Sequence, residues 1–266
     1  MPSTELAPLV IGVSLKMYFD HRRTLEWSEG IARVASAHEA VQNGLVELVV
    51  LPSFPSLTAT VDAFAGTPVA VGAQDLFWVD RGPFTGEVSG VDLAQIGCEY
   101  VEVGHAERRR IFGEDDEVVA NKVAAAVRNG LAPFLCIGES ERMAPELAAA
   151  ACVEQLRSAL TAAEEQGAID RLVVAYEPEW AIGAAESASP EHIGAVCGVM
   201  REWLATHPLV GESRVIYGGS AGPGLLGRLG ASVDGLFLGR FAHDPAALER
   251  VLDEALLVQR PAVVDE

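Results

Sequence analysis

Short, nearly continuous apolar runs alternate with longer amphipathic stretches along the chain. The runs at 9–16, 47–52, 68–74, 100–105, 133–137, 172–176, 214–217 and 235–238 are rich in Val, Ile, Leu and aromatic residues. Apolar at successive rather than alternate positions, they read as strands buried on both faces, the pattern of a parallel sheet. The stretches at 25–40, 117–128, 144–165, 190–206 and 245–258 carry apolar residues at helical spacing. Pro190 and Pro245 stand where helices begin, a position at which a missing N–H costs little. The segments after the second and third runs are shorter and less regular. Repeated strand–helix units give an α/β fold, either a closed barrel or a doubly wound sheet, and periodicity does not choose between them. No Gly/Ser-rich linker or composition break divides the chain, so 1–266 reads as one domain, with flexible tails at about 1–8 and 259–266.

Composition narrows the picture. A chain of 266 residues, half of them hydrophobic, suits a single barrel. Mean hydropathy is +0.23, yet no apolar run reaches the ~18 residues of a membrane span. No basic patch precedes an apolar segment at the N-terminus, so a cytoplasmic location is expected. Cys98, Cys136, Cys152 and Cys197 form no CxxC pair and have no His at metal spacing. They read as reduced, buried thiols, and neither metal nor cofactor is expected. The 38 acidic and 19 basic residues give a formal charge of −19, which disfavours nucleic acid and anionic membranes as partners. The same field opposes any phosphate ligand, so backbone amides and one or two placed cations would have to hold it.

In a β/α barrel the active site lies at the C-terminal ends of the strands. Polar residues interrupt those ends at Lys16, His105 and Glu177, in the Gly218-Gly219-Ser220 turn, and at Gly239-Arg240. Any one of them alone is ordinarily a solvated rim residue or a structural one. Together they offer a carboxylate, an imidazole and an ammonium beside Gly-rich turns. Moving a carbonyl to the neighbouring carbon needs a base for the proton beside it and an electrophile for the enediolate oxygen. Glu, His and Lys supply those roles, and the turns after the seventh and eighth strands supply amides for a phosphate.

These residues lie in segments that resemble the triosephosphate isomerase family along nearly the whole chain: SLKMY at 14–18, GAQD at 72–75, FTGE at 84–87, YVEVGHAERRRIFGE at 100–114, CIGE at 136–139, AYEPEWAIG at 175–183, YGGS at 217–220 and DGLFLGR at 234–240. The resemblance implies a single-domain (β/α)8 TIM barrel and a sugar-phosphate isomerase working through a cis-enediol(ate). It implies Glu177 as base, His105 as neutral electrophile, Lys16 as the cation near the substrate oxygens and Glu107 as the carboxylate beside that lysine. Segment 178–186 resembles the lid that closes over substrate, with Gly183, Ser220 and Gly239 offering N–H groups to phosphate. Cys136 matches a family cysteine and reads as core. Segment 75–86 resembles the loop that docks into a second subunit, so a homodimer is implied. Arg108, Arg109 and Arg110 read as surface and interface ion pairs.

The departures from the family pattern fall in the site. Ordinary members have Asn where Ser14 stands and Ser where Ala106 stands. Their lid reads AIGTGK where this chain has AIGAAES, and their last turn has a second glycine where this chain has Arg240. Tyr18 stands where Asn is common. Two lost polar groups leave room and unpaired hydrogen-bonding capacity that a substrate with an extra hydroxymethyl would fill. Arg240 offers a cation to phosphate or pairs outward with an acid. Ser in the first motif and Gly-Arg in the last resemble the erythrulose-phosphate isomerase branch, which implies conversion of L-erythrulose 1-phosphate to D-erythrulose 4-phosphate. The alternatives are triosephosphate isomerase proper and a non-catalytic phosphosugar-binding barrel. Retention of Lys16, His105, Glu107 and Glu177 speaks against the last. A Schiff-base aldolase would want a lysine late in the barrel, and lysine occurs only at Lys16 and Lys122.

Overall fold

The computed structural model describes residues 7–259. Eight parallel strands close on themselves in sequence order: β1 (Leu9–Ser14), β2 (Val46–Leu51), β3 (Val69–Ala73), β4 (Tyr100–Val103), β5 (Ala132–Ile137), β6 (Ile169–Tyr176), β7 (Val210–Tyr217) and β8 (Gly235–Leu238). Closure is made by β1 against β8, with Val10 opposite Gly235 and Val13 opposite Leu238. The fold is therefore the (β/α)8 barrel rather than the open sheet. Apart from Ala7, Pro8 and Gln259, the expected tails lie outside the described residues. Gln259 Nε2 donates to Ala7 O at 3.0 Å, which ties their inner edges together.

Two of the site strands, β1 and β4, stop two residues short of their apolar runs, and β6 stops where its run does. β1 stops at Ser14, β4 at Val103 and β6 at Tyr176, so Lys16, His105 and Glu177 sit just past strand ends rather than on them. β6 and β7 begin earlier than the runs, in partly exposed polar residues that an apolar pattern does not register. His21–Ala37 starts four residues ahead of the apolar periodicity because Asp20 caps it, accepting from Arg23 N at 2.8 Å. It ends at His38, whose ring caps the short helix Glu39–Gln42. Helix Ala106–Phe112 has no counterpart among the five stretches read from periodicity.

The bore is filled rather than open, as such barrels require. Tyr100, Phe134 and Phe237 point inward with Val10, Val49 and Ile216. The large rings need glycine opposite them. A Cβ on Gly12 would lie 2.6 Å from Phe134 Cζ, and one on Gly72 would lie 2.7 Å from Tyr100 Cβ. The alternate positions, such as Val101, Val103, Leu135 and Ile137, face outward into the layer beneath the helices. At the N-terminal end of the bore the Glu47 carboxylate accepts from Tyr100 Oη at 2.5 Å and from Arg171 Nη2 at 2.6 Å.

After β3, Asp75 is held under the loop by Lys122 Nζ at 2.6 Å and Arg108 Nη2 at 2.8 Å, and both cations also bind Glu114. Arg109 pairs with Asp116. The ion-pair reading of the arginine run therefore holds for these two residues. All four cysteines are buried thiols. Burial pushes Cys98 up to about 12 and raises the thiols of Cys136, Cys152 and Cys197 as well.

Candidate active site

Lys16 follows β1 in a left-handed conformation, φ 48°. Gln74 Nε2 donates to Lys16 O at 3.1 Å and to Leu51 O at 2.8 Å and so pins this strained turn. Lys16 Nζ then donates to Glu107 Oε1 at 2.9 Å. Burial works against the ammonium, but the Glu107 hydrogen bond and the fields of Glu177, Glu107 and Glu102 outweigh it and hold the pKa above its ordinary value. Glu107 is opposed by its own burial and still lies below the usual carboxylate value, because Lys16 binds it and Lys16, His105 and Arg110 surround it.

His105 stands at the N-cap of helix Ala106–Phe112, and its Nδ1 accepts from Glu107 N at 3.0 Å. A ring nitrogen that accepts carries no proton, so this bond places the imidazole N–H on Nε2. The orientation follows from the strand end. Gly104, at φ 75°, turns the chain out of β4 and lets His105 fall back across the barrel mouth.

Glu177 follows β6. Its N–H donates to Ile137 O at 2.7 Å, which continues the sheet by one residue and aims the side chain inward. Gly138 and Gly218 flank it at close range. A Cβ on Gly138 would lie 2.1 Å from Glu177 O, and one on Gly218 would lie 2.5 Å from Glu177 Cγ. Glu177 Oε2 and His105 Nε2 lie 3.5 Å apart. Both atoms are buried and neither makes a hydrogen bond among the described residues. A buried carboxylate oxygen and a ring nitrogen left unmatched are costly in a folded core, and their natural occupation is a ligand.

The cavity that opens onto Glu177 measures about 250 Å³ and is lined by Ser14, Lys16, Ala106, Glu107 and Glu177 on one side. On the other side stand Gly183, Ser220, Gly239 and Arg240. Arg240 Nη2 would be 3.9 Å from a Cβ placed on Gly183, so the guanidinium reaches the turn at Gly183. Arg110 also lines the cavity and is the member of the arginine run not accounted for by ion pairs. The cations Lys16, Arg110 and Arg240 thus converge locally against the overall negative charge. Tyr18 lines the same cavity and sets its ring edge against His243, with centroids 5.3 Å apart.

Segment 178–186 is tied at both ends. Trp180 Nε1 donates to Glu139 Oε1 at 2.9 Å, and Ala188 N donates to Tyr217 Oη at 3.0 Å. Between them Ser220, itself left-handed at φ 55°, donates from Oγ to Ala184 O at 2.7 Å. Glu139 is a fully engaged carboxylate, bonded by Tyr176 Oη and Trp180 and lying 3.4 Å from His192 Nε2. A larger groove of about 820 Å³ runs beside segment 178–186 along Arg142, Trp180, Glu186 and Arg228, and it contains none of Lys16, His105, Glu107 and Glu177.

Every site residue named from the sequence is therefore at one barrel end, and all but His105 line this cavity; His105 is buried and reaches the site through Glu177, 3.5 Å away. Sequence reasoning missed Glu102, Gln74, Glu139, Arg110 and the packing role of Gly218. Glu102 had a visible signal, a charge inside a run read as buried on both faces. Cys136 is core, as expected, with Sγ 4.0 Å from Glu102 Oε1.

A family model described as triosephosphate isomerase matches residues 9–255. A protein of Pectobacterium atrosepticum named L-erythrulose-1-phosphate isomerase is 54% identical over 254 residues, covering 96% of this chain and 98% of its own length. A triosephosphate isomerase of a Synechococcus species is 35% identical over 254 residues, covering 93% and 97%. The triosephosphate isomerase of Moorella thermoacetica is 41% identical over 215 residues, covering 78% and 85%.

Proposed function

The chain belongs to the triosephosphate isomerase family and is a sugar-phosphate isomerase, and on that premise we propose that its substrate is a four-carbon ketose phosphate, L-erythrulose 1-phosphate, isomerised to D-erythrulose 4-phosphate. The name of the Pectobacterium relative supports this reading. So does the cavity wall, where Ser14 and Ala106 stand as small residues beside the base.

The reaction moves a carbonyl from C2 to C3. Glu177 Oε2 takes the proton from C3, and the electron pair forms the C2–C3 double bond of an enediolate. Charge on the C2 oxygen is met by His105 Nε2–H and by the Lys16 ammonium. The hydroxyl proton passes between the two oxygens through His105, and Glu177 returns its proton to C2. Glu107 holds Lys16 in place. The phosphate is received by the backbone N–H groups of Gly183, Ser220 and Gly239, with Arg240 adding charge. Lid segment 178–186 excludes water so that the enediolate is reprotonated rather than losing phosphate. The observation that carries the chemistry is the unpartnered pair Glu177 Oε2 and His105 Nε2, 3.5 Å apart in a buried wall.

The substrate is tested by comparing kcat/KM on L-erythrulose 1-phosphate and on glyceraldehyde 3-phosphate. A wide preference for the triose sinks the four-carbon reading and leaves triosephosphate isomerase proper, the activity named for the Synechococcus and Moorella relatives. A homodimer is part of the same reading. Met17, Phe84, Ile111 and Phe112 are exposed large apolar side chains on the segments that leave β1, β3 and β4 at one barrel end. A second copy covering them would shift sedimentation to twice the monomer mass.

A further inference from the structure

Glu102 is a buried carboxylate that the chemistry above gives no task. It lies on β4, facing the bore, and is 3% exposed. Its Oε2 accepts from Ser14 Oγ at 3.0 Å, and its Oε1 meets only the Cys136 thiol, at 4.0 Å. Ser14 lines the cavity and Glu102 stands behind it. A purely structural carboxylate in this barrel looks different: Glu139 is bonded by Tyr176 and Trp180 with His192 alongside. Glu102 instead has a single O–H donor among the described residues, and that donor is a cavity side chain. An apolar residue would fill the same space at lower cost.

A serine hydroxyl has one proton and two lone pairs. Once Ser14 gives its proton to Glu102, Oγ has only lone pairs left for the cavity. A buried acceptor then requires a donor from the substrate. A hydroxymethyl group supplies one. A substrate with hydrogen in that place strands the acceptor, and sites built to bond a substrate hydroxyl reject analogues that lack it.

We propose that Glu102 is a specificity-determining positioning residue: by taking the Ser14 proton it locks Ser14 Oγ as an acceptor and so selects a substrate bearing a hydroxymethyl group on the carbon that Glu177 deprotonates. This inference rests on the four-carbon reading above. The groups facing Glu102 are Lys16 beyond β1, His105 beyond β4, Cys136 on β5 and Glu177 beyond β6. Burial pushes the Glu102 carboxyl up and Glu177 adds to this, while His105, Lys16 and the Ser14 bond pull it down, for a value of about 7. Above that value the carboxylate accepts and the lock is set. Below it, protonated Glu102 can donate to Ser14 Oγ, and the Ser14 proton is released toward the cavity.

The test measures kcat/KM on the four-carbon and three-carbon substrates for the wild type, Glu102→Leu, Glu102→Gln and Ser14→Ala, at pH values on both sides of about 7. Glu102→Leu and Ser14→Ala should each lower the four-to-three-carbon ratio about tenfold or more. The double variant should lower it no further, because both remove one bond. Glu102→Gln keeps an oxygen that accepts from Ser14 and should retain most of the ratio. In the wild type the ratio should rise with pH through about 7, and in Glu102→Gln it should be flat. An equal loss on both substrates in Glu102→Leu, with the ratio unchanged, means a merely structural carboxylate and overturns the proposal. If the leucine variant does not fold, a pH-independent wild-type ratio or an unchanged ratio in Ser14→Ala overturns it instead. A wild type that prefers the triose overturns the four-carbon reading and this proposal with it. A wild type that prefers four carbons, with variants of unchanged ratio, overturns this proposal alone.

Discussion

The two ends of the barrel bore use the same kinds of side chain to opposite effect. At the N-terminal end, the Glu47 carboxylate is matched by the Tyr100 hydroxyl and the Arg171 guanidinium. At the C-terminal end, Glu177 Oε2 faces His105 Nε2 and neither has a hydrogen-bond partner among the described residues. Tyr100 and Glu102 show the divide within β4, two residues apart on one inward face, the first reaching down to Glu47 and the second up to Ser14. Matched groups at one end close and hold the barrel. Unmatched groups at the other are where free energy has been left for a ligand to recover.

That contrast breaks first at the base. Glu177→Asp retracts the carboxylate by one methylene, and displacement of this order costs about 100-fold or more in kcat, with KM little changed; steady-state kinetics with an undiminished rate would remove Glu177 from its role. Gly218→Ala should come next. Its Cβ would fall 2.5 Å from Glu177 Cγ, so the base must swing away, and kcat should fall by roughly 30-fold to 100-fold while the fold survives. Normal kinetics in that variant would mean the turn shifts and the close approach is unimportant. Ser14→Asn refills the small wall and should move the four-to-three-carbon ratio toward the triose by about tenfold, within the range of discrimination from pocket volume; an unmoved ratio removes the steric basis for the substrate. The smallest effect belongs to the matched end. Tyr100→Phe deletes one donor to Glu47 and should cost about 1 kcal/mol in denaturant unfolding, with kcat unchanged. A loss of activity there would show that the two ends are not separate in function.

How much of this was legible in the sequence follows from what a pattern can carry. The eight strands were legible because parallel strands buried on both faces leave continuous apolar runs. Helix Ala106–Phe112 was not, since its sequence AERRRIF is mostly charged and places Ile111 and Phe112 in the open. Its start is set by His105 acting as a cap through its ring, which no propensity records. Lys16, His105 and Glu177 were found because each breaks an apolar run near its end, even though each lies one or two residues beyond the strand itself. Choice of the closed barrel came from resemblance, because β1 pairing with β8 is a contact between the two ends of the chain that no local pattern reports. Glu102 was overlooked although the charge in YVEV is plain. A lone acid in an apolar run reads as an interruption until Ser14, 88 residues away in sequence, is seen to reach it. Gly218 was assigned to phosphate alone, because its contact with Glu177 depends on how neighbouring strands β6 and β7 bring their ends together.

The four thiols carry a practical consequence. Only the thiolate attacks electrophiles, and burial keeps Cys98, Cys136, Cys152 and Cys197 protonated through the neutral range. The folded protein should thus react slowly with maleimides, iodoacetamide and mild peroxide, which a thiol titration of the native protein checks. A cysteine placed by Glu186→Cys in segment 178–186 should be labelled in preference to the buried native thiols, and a fluorophore there would test whether this segment moves when substrate binds, without first stripping the native sulfur from the chain.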